Sequence, residues 1–432
     1  MRVAIIGSGP TGLMLGAALA RRGHDVVSVD RDPGPAPDGT WHRRGVMQFE
    51  HAHGFRDQVR GHLERAWPEA YAQWLALGAE PLFMEVPGGS VPLGNRSQRS
   101  TFERALRLAA HEVDGLALCN GHVDALLEDQ GEVRGVVVDG EPLPADLVVD
   151  ASGRSGRLVA DPAVEGDCGI AYVDRTYQLL PGAEPGPMAM PIGWFGNFVG
   201  YQCLLFMHEL GHFSVLFVRP TADPDLKDLR HEAAFEAAVR AVPALDAWTD
   251  PERSRPTGPV MVGGALRNVF RPQRGRPGLV AVGDSVTTTT PTAGRGVAMC
   301  AMQVDGFLGL VDSGADLRTI AEPFGAWCEE HMRIWVDDHV YSNQEAVRRW
   351  QGADLDLGSP LTSDAILSAA QVDPRISQYA GPFMSMQTTL HDLRAAEPMA
   401  RAVYETGWRA PYPPGPTRDE LVAVIQGALQ PA

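Results

Sequence analysis

The sequence predicts an α/β fold in which a parallel sheet is assembled from separate stretches of chain, with a β-rich block inserted between them. Three observations predict it. A short apolar, β-branched run at residues 3–6 leads into a glycine-rich turn and a helix. Similar short apolar runs return at residues 147–149 and 279–282, and longer, aromatic-rich strands fill residues 170–219. The sheet domain is therefore discontinuous.

The first element is a strand, glycine turn, helix and second strand in close succession. Residues 7–12 read Gly-Ser-Gly-Pro-Thr-Gly, residues 13–22 have a helical composition, and the apolar run 25–29 ends at Asp30. This order, with an acidic residue after the second strand, is the context that the dinucleotide-binding fingerprint requires. The sequence therefore predicts a Rossmann-like cofactor-binding unit at the start of the chain.

Each glycine of this turn has a separate physical role. Gly7 permits the tight turn, Gly9 lets the backbone approach a pyrophosphate, and Gly12 lets the helix pack on the strand. The free amides and positive dipole end of the helix then face the phosphates. Asp30 is expected to accept hydrogen bonds from the ribose hydroxyls.

The remaining elements follow from periodicity and turn residues. Residues 33–39 form a Pro/Gly-rich loop. The predicted helices and strands are a helix at 96–112, strands at 133–138 and 147–149, strands at 170–180, 198–207 and 212–219, a helix at 230–242, a strand at 279–282, helical structure from 294 to about 350, and a further region at 364–430. The predicted domains are a cofactor domain in three parts (1–80, 96–160, 266–320), a β-rich substrate domain (81–95, 161–265) and a helical C-terminal region (321–432).

Composition excludes several classes of protein. Lys227 is the only lysine among 37 basic residues, which excludes Schiff-base, P-loop and pyridoxal-phosphate chemistry, and the net charge of −17 argues against nucleic acid as a partner. The five cysteines are scattered, which excludes a disulfide framework or a Cys-type zinc site. With no apolar run long enough to span a membrane, we expect a cytoplasmic protein.

Two pairs of histidines resemble metal-binding patterns. His51 and His53 lack a carboxylate or cysteine at ligand spacing, so we expect them to order a loop by hydrogen bonding. His208, Glu209 and His212 match the H-E-x-x-H pattern, which needs a helix. Because Gly211 and the alternating flanks favour two strands joined by a turn at residues 208–211, no metal site is predicted.

Three motifs together resemble the flavin-dependent monooxygenases of the para-hydroxybenzoate hydroxylase type. They are residues 7–12, Asp-Ala-Ser-Gly-Arg at 150–154, and Gly283-Asp284 followed by Pro-Thr-Ala-Gly-Arg-Gly at 291–296. The resemblance implies FAD as cofactor, with Asp284 on its ribityl chain and the 291–297 turn at the pyrimidine edge of the flavin. A helix N-terminus there stabilises negative charge on the reduced flavin without a lysine.

The resemblance also implies which residues hold FAD. Arg99, at the start of the helix, would reach the pyrophosphate or ribityl region, unless Ser100 or Thr101 merely caps an ordinary amphipathic helix. Val123 would lie where a strand passes the adenine. The complete set of expected FAD-binding residues is Gly7, Gly9, Thr11, Gly12, Asp30, Arg31, Arg44, Gly45, Gln48, Arg99, Val123, Asp150, Gly153, Gly283, Asp284, Pro291, Gly294, Gly296 and Val297.

A closer resemblance is to the actinobacterial flavin epoxidases of polyether antibiotic biosynthesis, of the lasalocid type. It rests on the stretch 43–53 (RRGVMQFEHAH), with further similarity at 145–150, 252–255 and 384–387. It implies a monooxygenase of secondary metabolism that transfers one oxygen atom from O₂, through a flavin C(4a)-hydroperoxide, to an alkene or an aromatic ring. No catalytic side chain is assigned, because the cofactor carries the difficult step.

The expected substrate is a small apolar or aromatic natural-product intermediate. Its pocket is predicted in the strand block, with Trp194, Tyr201, Phe206 and Phe217 as candidate lining residues, although alternation along strands lets only about half face the flavin. No second glycine fingerprint follows, so the electrons of NAD(P)H arrive either directly at the flavin pocket or through a separate flavin reductase.

Three alternatives stay open on sequence grounds. Flavin halogenases share the fold, but they resemble one another in a functional lysine and a W-x-W-x-I-P motif. The N-terminal half of this chain contains neither. A flavin-dependent reductase of isoprenoid-like double bonds also resembles the 150–154 motif. A non-catalytic FAD-binding protein is the third.

Overall fold

The computed structural model describes residues 1–430 except 44, 47, 87, 88, 157 and 159. The first 150 residues supply most of the cofactor-binding unit and two small accessory sheets. Their elements are β1 (Arg2–Ile6), α1 (Pro10–Ala20), β2 (Asp25–Asp30), β3 (Phe55–Arg56), α2 (Asp57–Ala66), α3 (Pro68–Ala76), β4 (Glu80–Val86), β5 (Gly89–Arg96), α4 (Arg99–Ala110), β6 (Leu116–Asn120), β7 (Val123–Asp129), β8 (Glu132–Val138), β9 (Glu141–Pro144) and β10 (Leu147–Asp150).

The middle of the chain forms the inserted β-rich block with two helices against it. Its elements are β11 (Val164–Asp167), β12 (Ile170–Leu179), β13 (Gly193–Phe198), β14 (Tyr201–Met207), β15 (His212–Pro220), α5 (Glu232–Ala241), α6 (Pro243–Thr249), β16 (Ser254–Pro256), β17 (Met261–Gly263) and β18 (Arg267–Phe270).

The last part returns to the first sheet and then becomes helical. Its elements are β19 (Leu279–Ala281), β20 (Thr287–Thr288), α7 (Gly296–Asp312), α8 (Ala321–His331), α9 (Arg333–Trp350), α10 (Ser363–Ala369), α11 (Ser377–Met384), α12 (Leu390–Leu393), α13 (Glu397–Glu405) and α14 (Arg418–Ala428).

The central sheet is parallel and built from three separate stretches of chain, as the sequence predicts. Its strand order is β19-β10-β1-β2-β6, and every neighbouring pair in it is parallel. All eleven residues of α1 are buried, because this helix, which is apolar on every side, lies between the sheet and α7. The carboxyl ends of β1, β2, β10 and β19 therefore meet at one edge, where α/β folds bind their ligands.

Strands β12 to β17 of the inserted block form a six-stranded sheet in which β12 and β15 pair over nine residues, whereas β11 and β18 form a separate three-stranded sheet with β20. Successive side chains along each strand of the six-stranded sheet point to opposite faces. One face packs against α5, α6 and the last helix, α14, through a core that includes Phe213, Phe217 and Trp248. The other face carries Tyr172, Leu204 and Leu216, and packs against residues 51–54 of the cofactor-binding unit and against Val347 and Trp350 of α9.

One predicted strand differs in the structure. The single strand expected at 198–207 is divided between β13 and β14, because Gly200 at φ +85° turns the chain back after Val199. The strands expected at 81–95 are β4 and β5, which pair with each other, and β5 also pairs with β3 in a three-stranded sheet. No helix in the described part of the chain has the length and apolar character needed to cross a membrane.

Candidate functional site: a dinucleotide site beside an apolar sheet face

The glycine turn between β1 and α1 has the geometry that the sequence predicts. Gly7 has φ +105°, and a methyl group on Gly12 would lie 1.9 Å from the carbonyl oxygen of Gly7. A methyl group on Gly9 would approach only the Nη2 atom of Arg43, at 3.7 Å. Among the described residues no side chain caps α1, which has Gly9 as its N-cap. The amides of the first helical turn are thus free to bind a phosphate.

Asp30 lies beside this turn at the end of β2. Its Oδ2 accepts hydrogen bonds from the Ser8 amide and from Nη2 of Arg43, both at 2.8 Å. Its carbonyl oxygen accepts a hydrogen bond from the Gly121 amide at 3.0 Å, which holds the connection leading to Val123 against β2. Asp30 and Val123, both expected near the adenosine part of a dinucleotide, thus lie at the same edge of the sheet.

Two more expected residues meet next to Asp30. Arg31 stands against Gly45, where a methyl group would lie 2.6 Å from its Nη2 atom. Gly45 has φ +84°, a conformation that favours glycine. Arg44 lies outside the described residues.

A buried ion network connects Asp30 to α4. Glu103, which is 1% exposed, accepts hydrogen bonds from both Arg43 and Arg99, the latter from Nε at 2.7 Å. Arg99 also donates from Nη1 to Oε1 of Gln48 at 3.4 Å, so two expected FAD ligands are neighbours. Burial alone would raise the pKa of Glu103, but the charges of Arg43 and Arg99 outweigh it and lower this pKa.

Sequence reasoning missed Arg43 and Glu103 in this network. The available signal was the spacing of Arg99 and Glu103, which places both on one face of a helix. Arg43 stands next to Arg44 in the quoted 43–53 stretch, and only the folded loop shows that it reaches Asp30.

Asp284 follows β19 and lies directly beside the N-terminus of α1. Gly283, at φ +75°, contacts Thr11 so closely that a methyl group on it would lie 2.5 Å from Thr11 Oγ1. Burial raises the pKa of Asp284, while the charges of Arg99 and Arg154 act in the opposite direction. In the described part of the chain only the Cys300 thiol donates to the Asp284 carboxylate, at 3.6 Å. This carboxylate therefore keeps acceptor capacity for a ligand hydroxyl.

Asp150, at the end of β10, supports the Asp284 loop. Its Oδ1 accepts hydrogen bonds from the amide and hydroxyl of Ser152, at 3.0 and 2.6 Å, and from the Ser285 hydroxyl at 3.2 Å. The Gly153 amide donates to the same Ser285 hydroxyl at 3.2 Å. Asp150 and Gly153 thus connect their own turn to the 3₁₀ turn Gly283–Ser285, which presents Asp284.

The turn before α7 borders open space. Pro291–Ala293 is a 3₁₀ turn closed by the Gly294 amide, which donates to the Pro291 carbonyl at 2.9 Å, and Gly294 has φ +61°. A methyl group on Gly294 or on Gly296 would meet no atom of the described residues within 4 Å. The backbone at these two glycines is therefore open to a ligand at the start of α7, next to Val297.

These observations fit FAD in three places: the pyrophosphate at the glycine turn, the ribityl chain at Asp284 and the ring at residues 291–297. A cavity of about 530 Å³ opens beside the carboxyl ends of β2 and β6, near the expected adenosine end. Its lining comes from the 32–39 loop, α4 and β6, and includes Asp32, Arg104, Arg107, Leu108, Cys119 and Asn120. When bound, FAD would supply the redox chemistry of this site.

The four aromatic residues expected in the substrate pocket divide between the two faces of the inserted sheet. Trp194, Tyr201 and Phe217 lie in the core against α5, α6 and α14, and the Tyr201 hydroxyl donates to the Pro416 carbonyl at 2.6 Å. This placement corrects the expectation for these three residues, because they pack on helices rather than toward the cofactor-binding unit. Only Phe206 lies on the opposite face, where it contacts Phe195.

A buried carboxylate fastens this opposite face to the 45–54 loop. Asp174 accepts hydrogen bonds from Nδ1 of His51 and, at 2.9 Å, from the Ala52 amide. Tyr172, two residues earlier on the same face, packs edge-on against the His51 ring at 5.2 Å. Burial and the neighbouring Asp174 raise the Tyr172 pKa, so its hydroxyl stays neutral. His51 therefore orders the loop, as the sequence predicts.

The H-E-x-x-H stretch forms the predicted turn between two strands, β14 and β15. Nε2 of the buried His208 pairs with the Ser214 hydroxyl at 2.8 Å, and burial lowers its pKa to about 3. Glu209 accepts hydrogen bonds from the Gln98 amide, at 2.6 Å, and from the Thr101 hydroxyl. The carboxylate thus binds at the N-terminus of α4, which positions Arg99.

The N-terminal part of the chain is similar to known FAD-dependent oxidoreductases. Residues 2–115 match the sequence model of the family described as "FAD dependent oxidoreductase". No curated protein gives a significant match.

Solved structures share the fold at low sequence identity. PqsL, a probable FAD-dependent monooxygenase from Pseudomonas aeruginosa, is 15% identical, with a TM-score of 0.61 over 82% of this chain and 98% of that one. The flavin-dependent brominase Bmp2 is 15% identical, with a TM-score of 0.62 over 94% of this chain and 99% of that one. The myxobacterial chondrochloren halogenase CndH is 16% identical, with a TM-score of 0.60 over 100% of this chain and 98% of that one. These matches confirm the predicted fold class.

Replacing Asp284 by alanine is expected to weaken FAD binding at least tenfold. The reason is that hydrogen bonds to a shielded carboxylate contribute about 1.5–3 kcal/mol each. Flavin content after purification and calorimetric titration of the apoprotein measure the effect. The matched control is Asp312→Ala, which removes an exposed carboxylate from α7. An Asp284→Ala protein with full flavin content would exclude this aspartate as an FAD ligand.

Proposed function

We propose that the protein is a flavin-dependent monooxygenase that transfers one oxygen atom from O₂ to an alkene or an aromatic ring of an apolar natural-product intermediate. The observation that carries the proposal is that Arg99 lies near both the expected flavin site and the inserted sheet. Arg99 donates to Gln48 at 3.4 Å, and His51, three residues further along the same loop, packs against Tyr172 on the inserted sheet. Burial raises the pKa of both Asp284 and Tyr172, and the charge of Arg99 acts against that rise in each case. The expected flavin site and one face of the inserted sheet are therefore neighbours.

The chemistry of that sheet face supports an apolar substrate. Its side chains are mainly aliphatic and aromatic, and include Leu204, Phe206 and Leu216. The carboxylate on it, Asp174, is already paired with His51 and the Ala52 amide. A face of this kind favours a ligand without charge, because burying an unpaired charge there costs several kcal/mol.

The polyether-type epoxidases remain the proposed relatives within this class. Two segments that carry this resemblance contact residues near the expected flavin site. The 43–53 stretch supplies Arg43 beside Asp30 and His51 beside Asp174, and the 384–387 segment contacts Arg56 and Gln58 at the start of α2. We therefore propose epoxidation of an alkene ahead of hydroxylation of a ring, with NAD(P)H as the electron source, either directly or through a flavin reductase.

The placement of Lys227 argues against halogenation by a lysine-dependent route. This residue is exposed in a 3₁₀ segment, Asp225–Arg230, whose Leu226 and Leu229 join the core on the helix side of the inserted sheet. It is thus on the side away from the face that looks toward the flavin site. No other lysine exists in the chain.

Incorporation of labelled oxygen tests the proposal. FAD-loaded protein is supplied with NAD(P)H, with and without a general flavin reductase, under ¹⁸O₂, and with terminal alkenes, polyenes and simple arenes as probes. One ¹⁸O atom per product, as an epoxide from the alkenes, is the expected result. Saturated product formed without oxygen would instead establish the reductase, and halogenated product in the presence of bromide or chloride the halogenase. FAD binding with no conversion of any probe would support the non-catalytic alternative.

A further inference from the structure

Arg56 lies behind the 291–296 turn and holds its backbone. This residue, the last of β3, donates from Nε to the Gly294 carbonyl at 3.2 Å and from Nη2 to the Ala293 carbonyl at 2.6 Å. Its Nη1 donates to the Met384 carbonyl at the end of α11. One guanidinium therefore connects the expected flavin turn to the C-terminal helical region.

A second arginine, Arg295, lies close by and pairs with a carboxylate of its own. Arg295 donates from Nη1 to Asp338 at 3.0 Å, and its guanidinium stacks over the rings of Trp335 and Phe383 at 4.7 and 4.8 Å. Burial, with the charges of Arg295 and Arg56, lowers the pKa of His339 well below its usual value, so this histidine is neutral.

The cluster carries a net positive charge. Burial and the neighbouring Arg295 lower the pKa of Arg56 to about 9, so it remains a cation at neutral pH. Asp338 pairs with Arg295, whereas the acceptors found for Arg56 among the described residues are backbone carbonyls. The cluster therefore holds two guanidinium groups but one carboxylate among the described residues, in a shielded place where charges act over longer distances than in water.

The hydrogen bonds of Arg56 also set the direction of the turn. Because the carbonyls of Ala293 and Gly294 point to Arg56, the amides of the same peptide planes point away from it. The first amides of α7, from Gly296 onward, lie next to the open space described above. Arg56 thus adds a full positive charge behind amides that already carry the positive end of the helix dipole.

We propose that Arg56 is a positioning residue that raises the reduction potential of the bound flavin, an inference that rests on the FAD site of the proposed function. Reduction of bound FAD by two electrons and one proton adds one negative charge. A fixed cation behind the 291–296 turn stabilises that charge, so the protein holds the reduced cofactor more tightly relative to the oxidised one.

The test is the midpoint potential of FAD bound to the full-length protein, measured by dye-linked reduction without substrate or O₂. Arg56→Met is expected to weaken binding of reduced relative to oxidised FAD about tenfold, which lowers the potential by about 30 mV for a two-electron couple. Arg56→Lys keeps the charge and is expected to keep most of the potential. The matched control is Gln58→Ala, since Gln58 contacts the same C-terminal segment through Ser385 at 2.7 Å but carries no charge.

A second variant is expected to shift the midpoint potential in the opposite direction, and it tests the proposal even if Arg56→Met does not fold. Asp338→Asn removes the one negative charge of the cluster and is expected to raise the potential. An unchanged potential in Asp338→Asn or in Arg56→Met, or an equal fall in Arg56→Lys and Arg56→Met, would overturn the proposal. Wild-type protein that binds no FAD would instead overturn the cofactor assignment, so the two failures are distinguishable.

Discussion

Gly12→Ala is expected to abolish FAD binding and to destabilise the protein by about 3 kcal/mol or more, at the upper end of overpacking effects. The added methyl group would lie 1.9 Å from the Gly7 carbonyl oxygen and 3.3 Å from the Ile5 side chain. A backbone carbonyl in a tight turn cannot move aside as the end of a flexible side chain can. The turn must therefore open, which moves the amides that are expected to bind the pyrophosphate.

A glycine in another helix provides the control for this change. Gly427 lies on the exposed side of α14, and a methyl group there meets no described atom within 4 Å. Gly427→Ala is expected to stabilise the protein by about 0.5–1 kcal/mol, because alanine favours a helix interior over glycine. Denaturant unfolding and FAD titration of both variants measure the contrast. Wild-type FAD affinity in Gly12→Ala would remove the glycine turn from the site.

Glu103→Gln is expected to destabilise the FAD-free protein by about 3–5 kcal/mol at neutral pH, because it leaves buried arginines without their shared carboxylate. Arg43 keeps Asp30 as a partner, whereas the ion pair found for Arg99 among the described residues is with Glu103. FAD is expected to recover part of this loss, since its pyrophosphate brings negative charge to the turn beneath Arg43. The increase in melting temperature on adding FAD should thus be larger in the variant than in the wild type.

The pH dependence of this effect has a definite sign. The pKa of Glu103 is lowered in the folded protein, so its stabilising contribution is complete above the unfolded value of about 4.3 and is lost as the pH falls through the folded value. The free-energy difference between wild type and Glu103→Gln should therefore shrink in acid. Glu69→Gln is the control, because Glu69 is 63% exposed and pairs with Arg21 at the surface, where ion pairs contribute about 0–1 kcal/mol. Equal stability of Glu103→Gln and wild type would exclude a structural role for the network.

The sequence predicts the cofactor-binding unit well because its signals are local. The residues of the 7–12 turn, the acidic residue after the second strand and the Gly283-Asp284 pair each follow a short apolar strand, and such strands align in a parallel sheet. The turn at 208–211 was equally predictable, since Gly211 disfavours the helix that a zincin motif needs and the flanking residues alternate as in strands. In these cases the backbone conformation follows from neighbouring residues.

The substrate face was not predictable in the same way. Trp194, Tyr201 and Phe217 have the composition of pocket residues, but they lie on the face covered by helices, and one of these helices, α14, begins about 200 residues later in the chain. Which face of a strand is covered depends on where distant segments pack, and no local periodicity encodes that. The hairpin at Gly200 also divides the predicted strand, so that Phe198 ends β13 and residues 201–207 form β14.

By itself, then, the sequence determined the α/β class, the interrupted order of the parallel strands and the residues that meet at their carboxyl ends. Only the tertiary structure decided which charges share that site. Glu103 between Arg43 and Arg99, Asp174 beneath His51, and Arg56 behind the 291–296 turn all join segments that are distant in sequence, except for the one helical pair Arg99 and Glu103. The physical reason is that short-range backbone preferences act within a few residues, whereas burial and charge pairing act between whatever segments the packed core brings together.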